Sequence, residues 1–415
     1  MTPVLIAIVV IVGWTLVAGR LSRLQISGAI VMVVAGIVIG LTTNNSIGNA
    51  LDTDAAEPVV ELILALLLFV DAIEVRGGYF AGERRTSLRL LVIAMPLSVA
   101  LATLLGVALL PSMSVGVALL IACVVIPMDL TPASSLVRDR RFPTRVRHLL
   151  NIESGYNDGI IAPLFIFALT LAGDHKHASS PAEALEQAVP SALWAVLAGS
   201  VIGLLAARLT NFSMRRELAT EQSIRISLVL IPILAYGCSV QLGGNGFVAA
   251  FLCGIAYKAA RADGPGDEQL RLADDVSALA ALTMWFVFGC AAVLVFELGF
   301  VWQIVVLALA ALTVLRIVPV YLALLRTDIG PRDRLLIGVL GPRGTASIVF
   351  GLLAFNELDG MVANETLYAM TVTVLASVVL HGFGVGLVAQ RLGRRESGGT
   401  RRRSEPDGRE LDDAT

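Results

Sequence analysis

The sequence predicts an all-α polytopic membrane protein with 13 transmembrane helices. Hydrophobic residues make up 56% of the 415 residues, charged residues only 15%, and the mean hydropathy is +0.80. This composition lies far outside that of soluble domains. Apolar runs of about 20 residues, the length at which a helix crosses a bilayer, recur along the chain. The formal net charge of −2 gives no support for nucleic-acid binding.

The apolar runs give the limits of the 13 predicted spans. They are 3–21, 25–41, 59–75, 87–110, 114–137, 148–172, 189–211, 225–243, 245–260, 276–296, 299–324, 335–355 and 367–389. Residues 1–390 are therefore predicted to form one transmembrane domain. The polar remainder, residues 391–415, is predicted to be a disordered cytoplasmic tail, because it contains too few apolar side chains to fold alone.

Positive charges alternate between the two sides of these spans. Of the 31 Lys and Arg residues, Arg316 and Arg343 lie deep within spans, away from the span ends. With the amino terminus outside, 28 of the other 29 lie in cytoplasmic segments or at the cytoplasmic ends of spans, and only Lys176 lies outside. Lys and Arg favour cytoplasmic loops, and one missed or extra span would scramble the bias. The predicted topology is therefore amino terminus outside and carboxyl terminus inside.

Two spans are interrupted at matching positions in the chain. Spans 1–6 and 8–13 are predicted to be two six-helix repeats of inverted topology, flanking span 7. Span 5 contains the break Pro127–Pro132, and its counterpart, span 12, contains Gly341–Gly344. Pro and Gly are also common in ordinary kinked transmembrane helices. Two equivalent breaks, one acidic and one basic, favour instead the crossed broken helices of a secondary transporter.

A polar segment, Asn151–Gly159, begins span 6. A carboxylate at bilayer depth costs several kcal/mol unless it is paired or hydrated, so it marks a functional path. Glu153 and Asp158 lie five residues apart, which is about 140° around a helix. The two carboxylates cannot share a face, and we expect them to have different roles.

The deep charges are three acids and two bases: Asp129, Glu153, Asp158, Arg316 and Arg343. If spans 5 and 12 cross, Asp129 meets Arg343 and each charge neutralises a half-helix dipole. Glu153 and Arg316 then pair with each other, and Asp158 is left over. Burial favours the protonated form of an unpaired carboxyl group, as a proton-coupled cation carrier requires. The alternative is that all five charges merely hold helices together.

Oxygen ligands suitable for an alkali cation surround Asp158 in this prediction. Asn157 offers an amide oxygen, and the span 5 break offers carbonyls and the hydroxyl of Thr131. We predict that protonated Asp158 carries a proton. Deprotonated Asp158 binds Na⁺ or Li⁺, together with Asp129 or nearby backbone. Ser154 and Glu153 contribute to that site directly or through water. The transported ions are the only non-protein components expected, and no cofactor is.

These motifs resemble those of NhaP/NHE-like sodium/proton antiporters of the cation/proton antiporter superfamily. Glu153-Ser154-x-x-Asn157-Asp158 resembles the acidic motif of that branch on its sixth helix. Gly341-Pro342-Arg343-Gly344 resembles its Gly-x-Arg-Gly motif, and Arg316 the arginine of the preceding helix. The basic segment 138–147 matches as well. The resemblance covers residues 3–390, in order and with the same number of spans.

The resemblance carries one departure and several implications. The fifth helix of the family usually reads Thr-Asp-Pro, whereas Met128-Asp129-Leu130 stands there, with Thr131-Pro132 following at a shifted register. The resemblance implies a homodimer with a rigid dimerisation unit and a moving core. Its Asn-Asp pair, Asn157-Asp158 here, implies electroneutral exchange of one cation for one proton. The expected location is the prokaryotic cytoplasmic membrane, in contact with lipids.

Other functions remain open at this point. A K⁺/H⁺ antiporter of the same fold fits the altered span 5. A cation channel needs rings of like ligands from several subunits, which the paired opposite charges do not indicate. An intramembrane aspartyl protease needs a Gly-x-Gly-Asp pattern that Asp129 and Asp158 lack. A scaffold or sensor that transports no ion is distinguished from a transporter by whether Asp158→Asn has any effect on transport.

Overall fold

The computed structural model describes residues 2–23, 26–43, 56–74, 82–133, 139, 141–173, 181–261 and 266–403. Within them the chain is all-helical. The helices, in order, are α1 Thr2–Arg23, α2 Gly28–Thr42, α3 Ala56–Glu74, α4 Arg84–Leu109, α5 Val115–Val125, α6 Thr144–Ala172, α7 Pro181–Arg215, α8 Glu221–Gln241, α9 Gly246–Ala260, α10 Asp267–Glu297, α11 Trp302–Ala323, α12 Pro331–Val339, α13 Thr345–Glu357 and α14 Gly360–Arg403.

The membrane character of the chain is evident from these helices. In the described part, seven are long and apolar enough to cross a membrane, and five further apolar helices have 10–17 residues. Helices suit a bilayer because they satisfy every backbone polar group internally. Several begin at a side-chain cap: Ser114 accepts from the N–H of Val117, and Asn245 accepts from that of Val248.

Both predicted helix breaks are present. α5 ends at Val125, and after an irregular segment the chain forms a short 3-10 turn, Thr131–Ala133. Predicted span 12 is divided into α12 and α13 by residues 340–344. Prolines and glycines cause these breaks, since proline removes a backbone donor and glycine weakens a helix.

Two further irregularities were not predicted. Residues Leu90–Ala94 of α4 form a π-helical turn just before Pro96, which has no N–H with which to continue the regular ladder. α11 is interrupted at Thr313, whose backbone is not helical (φ −124°, ψ −96°). Both irregularities lie beside the charged residues described below, and π-turns are frequent at functional sites.

Close helix packing depends on small residues. A Cβ atom at Gly36 of α2 would overlap the carbonyl of Phe286 in α10, and one at Gly289 would overlap that of Val33. The thiol of Cys290 donates to the Gly36 carbonyl at 3.4 Å in the same interface. Small residues at such crossings let transmembrane helices approach until their backbones touch.

The last helix continues beyond residue 389, the predicted end of the last span. α14 continues from Gly360 to Arg403, so the predicted start of a disordered tail at residue 391 does not coincide with a helix end. The remainder of the predicted tail, residues 404–415, lies outside the described residues, as do His175 to His177 and two arginines of the basic segment, Arg138 and Arg140.

Candidate functional site

The centre of the site is the contact between the two breaks. The backbone N–H of Asp129 donates to the carbonyl of Pro342 at 2.9 Å, so the interrupted spans meet as the sequence predicts. The Asp129 carboxylate accepts two hydrogen bonds from Thr345, from its N–H at 2.9 Å and its hydroxyl at 2.7 Å. Thr345 is the first residue of α13, so the carboxylate lies at the positive end of that helix.

Arg343 has contacts other than the predicted ones. Its guanidinium donates to the carbonyls of Ala311 at 2.9 Å and Gly341 at 3.3 Å. Ala311 precedes the interruption of α11 at Thr313, and such an end leaves carbonyl groups without donors from the helix. The sequence predicts a direct Asp129–Arg343 pair. In the described contacts, Thr345 binds the Asp129 carboxylate, and backbone carbonyl groups bind the Arg343 guanidinium. Each charge still meets a helix end of opposite polarity.

The structure contains the Glu153–Arg316 pair that the sequence predicts. The guanidinium donates to both carboxylate oxygens, at 2.8 and 3.1 Å, and both side chains are almost fully buried. The same guanidinium contacts the sulfur of Met128 at 3.0 Å and the carbonyl of Ile337 at 3.3 Å. Arg316 therefore joins α6 to the span 5 break and to α12.

Ser154 and Asn157, one helical turn apart on α6, fasten the span 5 break. The Ser154 hydroxyl accepts from the N–H of Leu130 at 3.2 Å, and the Asn157 amide donates to the carbonyl of Met128 at 2.6 Å. These bonds compensate backbone groups that lost their partners where α5 ended. Thr131 lies in the following 3-10 turn, and its side chain is outside the described part of the structure.

Asp158 is buried beside this framework. It is 6% exposed, and its Oδ1 atom, like Oδ1 of Asn157, has no hydrogen-bond partner among the described residues. The charged groups that act on its carboxyl are Asp129, Asp71 and Arg343. Glu153 and Asp158 thus have different surroundings, as their angular separation predicts. A buried carboxyl group with an open oxygen is suited to bind a proton or a cation.

The helix that carries these residues is held close to α9. A Cβ atom at Gly159 would overlap the ring of Phe251, so only glycine permits this approach. The ring of Tyr156 packs edge-on against the same phenylalanine. A cavity lies on the Glu153 side of the breaks and reaches Asn157 and Arg343, and it is lined also by Ala94 at the end of the π-turn.

Sequence reasoning missed Asp71 and Thr345. Asp71 is a half-buried residue of α3, inside predicted span 3, and it was not counted among the deep charges. A lone aspartate in the run Leu66–Ile73 was the available signal. Thr345 directly follows the Gly341–Gly344 motif, yet no pattern showed that its two donors would meet Asp129. The count of three deep acids is therefore too low.

Broken helices in contact, a buried ion pair and a buried carboxyl group with an open oxygen define a multi-pass membrane transporter. Residues 6–391 match the family described as sodium/hydrogen exchanger, transmembrane. The chain belongs to this sodium/hydrogen exchanger family. Family and fold are those of cation/proton antiporters and not of enzymes, which excludes the intramembrane protease.

Three relatives illustrate the similarity. A probable Na⁺/H⁺ antiporter of Schizosaccharomyces pombe is 26% identical over 360 residues, covering 81% of this chain and 46% of the relative. A second Na⁺/H⁺ antiporter of that yeast is 23% identical over 400 residues, covering 88% and 84%. The K⁺/H⁺ antiporter NhaP of Alkalimonas amylolytica is 27% identical over 286 residues, covering 66% and 47%. The chain thus spans about half the length of the first and third.

The fold is similar to that of a solved antiporter. The structure of the sodium proton antiporter MjNhaP1 from Methanocaldococcus jannaschii superposes with a TM-score of 0.73. The superposition covers 92% of this chain and all of the other, at 20% sequence identity. The all-helical antiporter fold that the sequence predicts is thereby confirmed. The number of spans and their repeat arrangement stay predictions.

Proposed function

We propose that the protein is an electroneutral Na⁺(Li⁺)/H⁺ antiporter that exchanges one monovalent cation for one proton by competition at Asp158. The observation that carries the proposal is the buried Asp158 carboxyl group with an open Oδ1 atom, beside two broken helices. Membership of the sodium/hydrogen exchanger family supports the same reaction class.

Competition follows from the energetics of a buried charge. A bare carboxylate in a medium of low dielectric constant is costly, so Asp158 moves across the membrane only when a proton or a cation neutralises it. One carboxylate holds one proton or one monovalent cation, but not both. Each inward step of one ion therefore requires an outward step of the other, which is exchange at a ratio of one to one.

The proposed cation ligands are Asp158, the Asn157 amide oxygen, the Ser154 hydroxyl, Asp129 and the backbone or hydroxyl of Thr131. Oxygen ligands of this kind suit hard cations. Asn157 uses its amide N–H groups on the carbonyls of Met128, Glu153 and Ser154, which leaves the oxygen for an ion. Glu153 is bound by Arg316, so we assign it to the structural pair and, through water, to the site. Asp71 adds negative charge near Asp158.

The architecture we propose has 13 spans, with the amino terminus outside and the carboxyl terminus inside. Its two inverted six-helix repeats place the breaks of spans 5 and 12 in the membrane interior. The contact between Asp129 and Pro342 supports this crossing. Alternating access then consists of a movement of the core that carries both breaks. We further propose a homodimer, embedded in the lipids of a prokaryotic cytoplasmic membrane.

A K⁺/H⁺ antiporter with the same mechanism is the second candidate. One relative with 27% identity is a K⁺/H⁺ antiporter, and Met128 and Leu130 flank Asp129 where the resemblance predicts Thr and Pro. Ion size is discriminated by the oxygen ligands at this break, so the altered residues act on selectivity while the proton chemistry of Asp158 is unchanged.

Proton efflux from acid-loaded proteoliposomes tests both candidates. NaCl or LiCl is added with equal K⁺ on both sides and valinomycin present, which clamps the membrane potential. KCl is added without valinomycin. Asp158→Asn removes the exchangeable charge with little change of size, and Glu365→Gln, a half-buried carboxyl group of α14, is the matched control. The clamped potential is then varied to test electroneutrality.

The outcomes separate the candidates. Efflux that depends on Na⁺ and Li⁺, is insensitive to the potential, and disappears in Asp158→Asn but not in Glu365→Gln supports the proposal. A response to K⁺ alone favours the second candidate. Exchange retained by Asp158→Asn contradicts the assignment of the carrier residue. No response to any cation would favour a sensor or scaffold.

A further inference from the structure

Two buried polar residues of α14 lie next to the span 12 break and have no part in the mechanism above. Ser377 and His381 are one helical turn apart and are 0% and 4% exposed. A helical turn of this kind presents both side chains on the same face. The face is directed at residues 339–343, where α12 ends and the chain is not helical.

Each residue binds one side of the break. The Ser377 hydroxyl accepts from the backbone N–H of Arg343 at 2.7 Å. The Nε2 atom of His381 lies 3.2 Å from the carbonyl of Val339, the last residue of α12. Its Nδ1 atom lies 3.2 Å from the Ser377 hydroxyl and 3.1 Å from the Ser377 carbonyl. Both backbone groups lack a helical partner because the helix is broken between them.

One arrangement of hydrogens connects the two ends of the break. The Arg343 N–H donates to Ser377 Oγ, Ser377 Oγ–H donates to His381 Nδ1, and His381 Nε2–H donates to the Val339 carbonyl. Nε2 faces the Val339 carbonyl and must donate to it, so a neutral imidazole is left with Nδ1 as the acceptor, for which the Ser377 hydroxyl is the available donor. The two ends of the break are thus joined through a closed chain of hydrogen bonds on α14.

The held segment also carries the contacts of Asp129. Pro342, immediately before Arg343, accepts from the Asp129 N–H, and Thr345, two residues after it, binds the Asp129 carboxylate. A shift of Arg343 relative to α14 therefore moves both attachments of Asp129. Because Asp129 is a proposed cation ligand, a change at Ser377 or His381 reaches the ion through the break.

We propose that Ser377 and His381 are positioning residues that clamp the span 12 break and thereby set the cation affinity of the site. The coupling to affinity rests on the function proposed above, whereas the clamp itself does not. Neither side chain touches the ion in this proposal. Both act through the backbone of residues 339–345.

The clamp is tested first by hydrogen–deuterium exchange of the peptide that contains residues 340–344, in the detergent-solubilised full chain. Ser377→Ala and His381→Leu should exchange there roughly five-fold faster, the effect of losing a hydrogen bond of ordinary strength. Thr373→Val is the matched control: Thr373 is buried on the same helix, and its hydroxyl has no hydrogen-bond partner among the described residues. Unchanged exchange in both variants overturns the proposal.

Transport then tests the coupling. In proteoliposomes, Ser377→Ala and His381→Leu should raise the half-saturating cation concentration roughly five-fold, as expected for a ligand set loosened by one hydrogen bond. The rate at saturating cation should change little. His381→Gln, whose amide N–H reaches the same carbonyl, should restore most of the affinity, which a general loss of stability does not predict.

The remaining outcomes are distinguishable. Faster exchange at 340–344 with an unaltered half-saturating concentration overturns the coupling of the clamp to the cation site. Equal effects of His381→Gln and His381→Leu also overturn it, because the hydrogen bond is then irrelevant. If the unaltered protein exchanges no cation, the proposed function fails, and the hydrogen-exchange result still decides whether the clamp exists.

Discussion

The side-chain amide of Asn157 donates to the backbone carbonyl of Met128 at 2.6 Å. The bond connects α6 to the span 5 break, and the same amide nitrogen lies within hydrogen-bond distance of the Glu153 and Ser154 carbonyls. The nitrogen of Asn157 therefore has a structural role, while its oxygen has no partner among the described residues. The nitrogen holds the break, and the proposed function assigns the open oxygen to the cation.

Asn157→Asp should lower both the stability and the transport rate. The carboxylate would face backbone carbonyl oxygens, and the loss of a buried donor costs about 1–3 kcal/mol. We expect a melting temperature several degrees below that of the unaltered protein, measured in detergent, and slower exchange in proteoliposomes. The substitution also adds a second carboxyl group next to Asp158.

Asn211→Asp is the matched control for this substitution. The Asn211 amide donates to the Ala260 carbonyl at 2.9 Å, away from the site, and its oxygen accepts from Arg261. The variant therefore loses the same kind of donor, has Arg261 to pair with the new carboxylate, and should transport normally. An Asn157→Asp protein of unchanged stability whose transport becomes sensitive to the membrane potential would show that position 157 selects the stoichiometry directly.

The sequence predicted those parts of the site that follow from buried charges and helix breaks. Glu153, Arg316 and Asp158 were identified because they lie deep inside apolar runs. The two helix breaks at equivalent positions predicted that the breaks contact each other. The partner of Asp129 was not predictable, because charge pairing takes no account of the backbone donors at the start of α13. The half-buried Asp71 was missed because it lies close to the charged end of predicted span 3, near Glu74 and Arg76, where position in the run does not show whether a side chain is buried.

Gly344→Ala should disable the site. A Cβ atom at Gly344 would overlap the carboxylate of Asp129, so Asp129 would have to leave its bonds to Thr345. Overlap in a packed interior costs about 1–3 kcal/mol, and we expect a lower melting temperature and a transport rate reduced roughly ten-fold or more. Gly237→Ala is the control, because nothing lies within 4 Å of its Cβ position. Normal transport by Gly344→Ala would contradict the placement of Asp129.

Arg316→Ala should destabilise the protein strongly. It leaves Glu153 buried without its charged partner, and breaking a buried pair in this way costs about 3–5 kcal/mol. Thermal unfolding in detergent measures the loss. The double variant Arg316→Met with Glu153→Gln removes both charges and should recover much of the stability, because no uncompensated charge remains. If Arg316→Ala melts at the same temperature as the unaltered protein, the pair does not support the fold.

A second charged cluster joins chain segments on the predicted cytoplasmic side. Its contribution to the stability of the protein should depend on pH. Arg145, near the start of α6, contacts Glu83 at 2.6 Å and Asp328 at 2.8 Å. Glu83 precedes α4, and Asp328 lies between α11 and α12. Hydrogen bonds from Arg145 lower the pKa of both carboxyl groups below their ordinary values of 4.5 and 3.8.

Arg145→Gln should therefore lower the melting temperature at pH 7 by a few degrees, with the difference shrinking in acid. A carboxyl group whose pKa is lowered by folding contributes stability above its unfolded pKa and loses it as the pH falls through the folded pKa. The contribution is thus complete at neutral pH and disappears as the pH falls through the lowered pKa values of Glu83 and Asp328. Arg271→Gln, which removes an exposed pair with Glu268, should show no such dependence. A difference for Arg145→Gln that persists or grows on acidification would mean that Arg145 stabilises these segments by packing and not by charge.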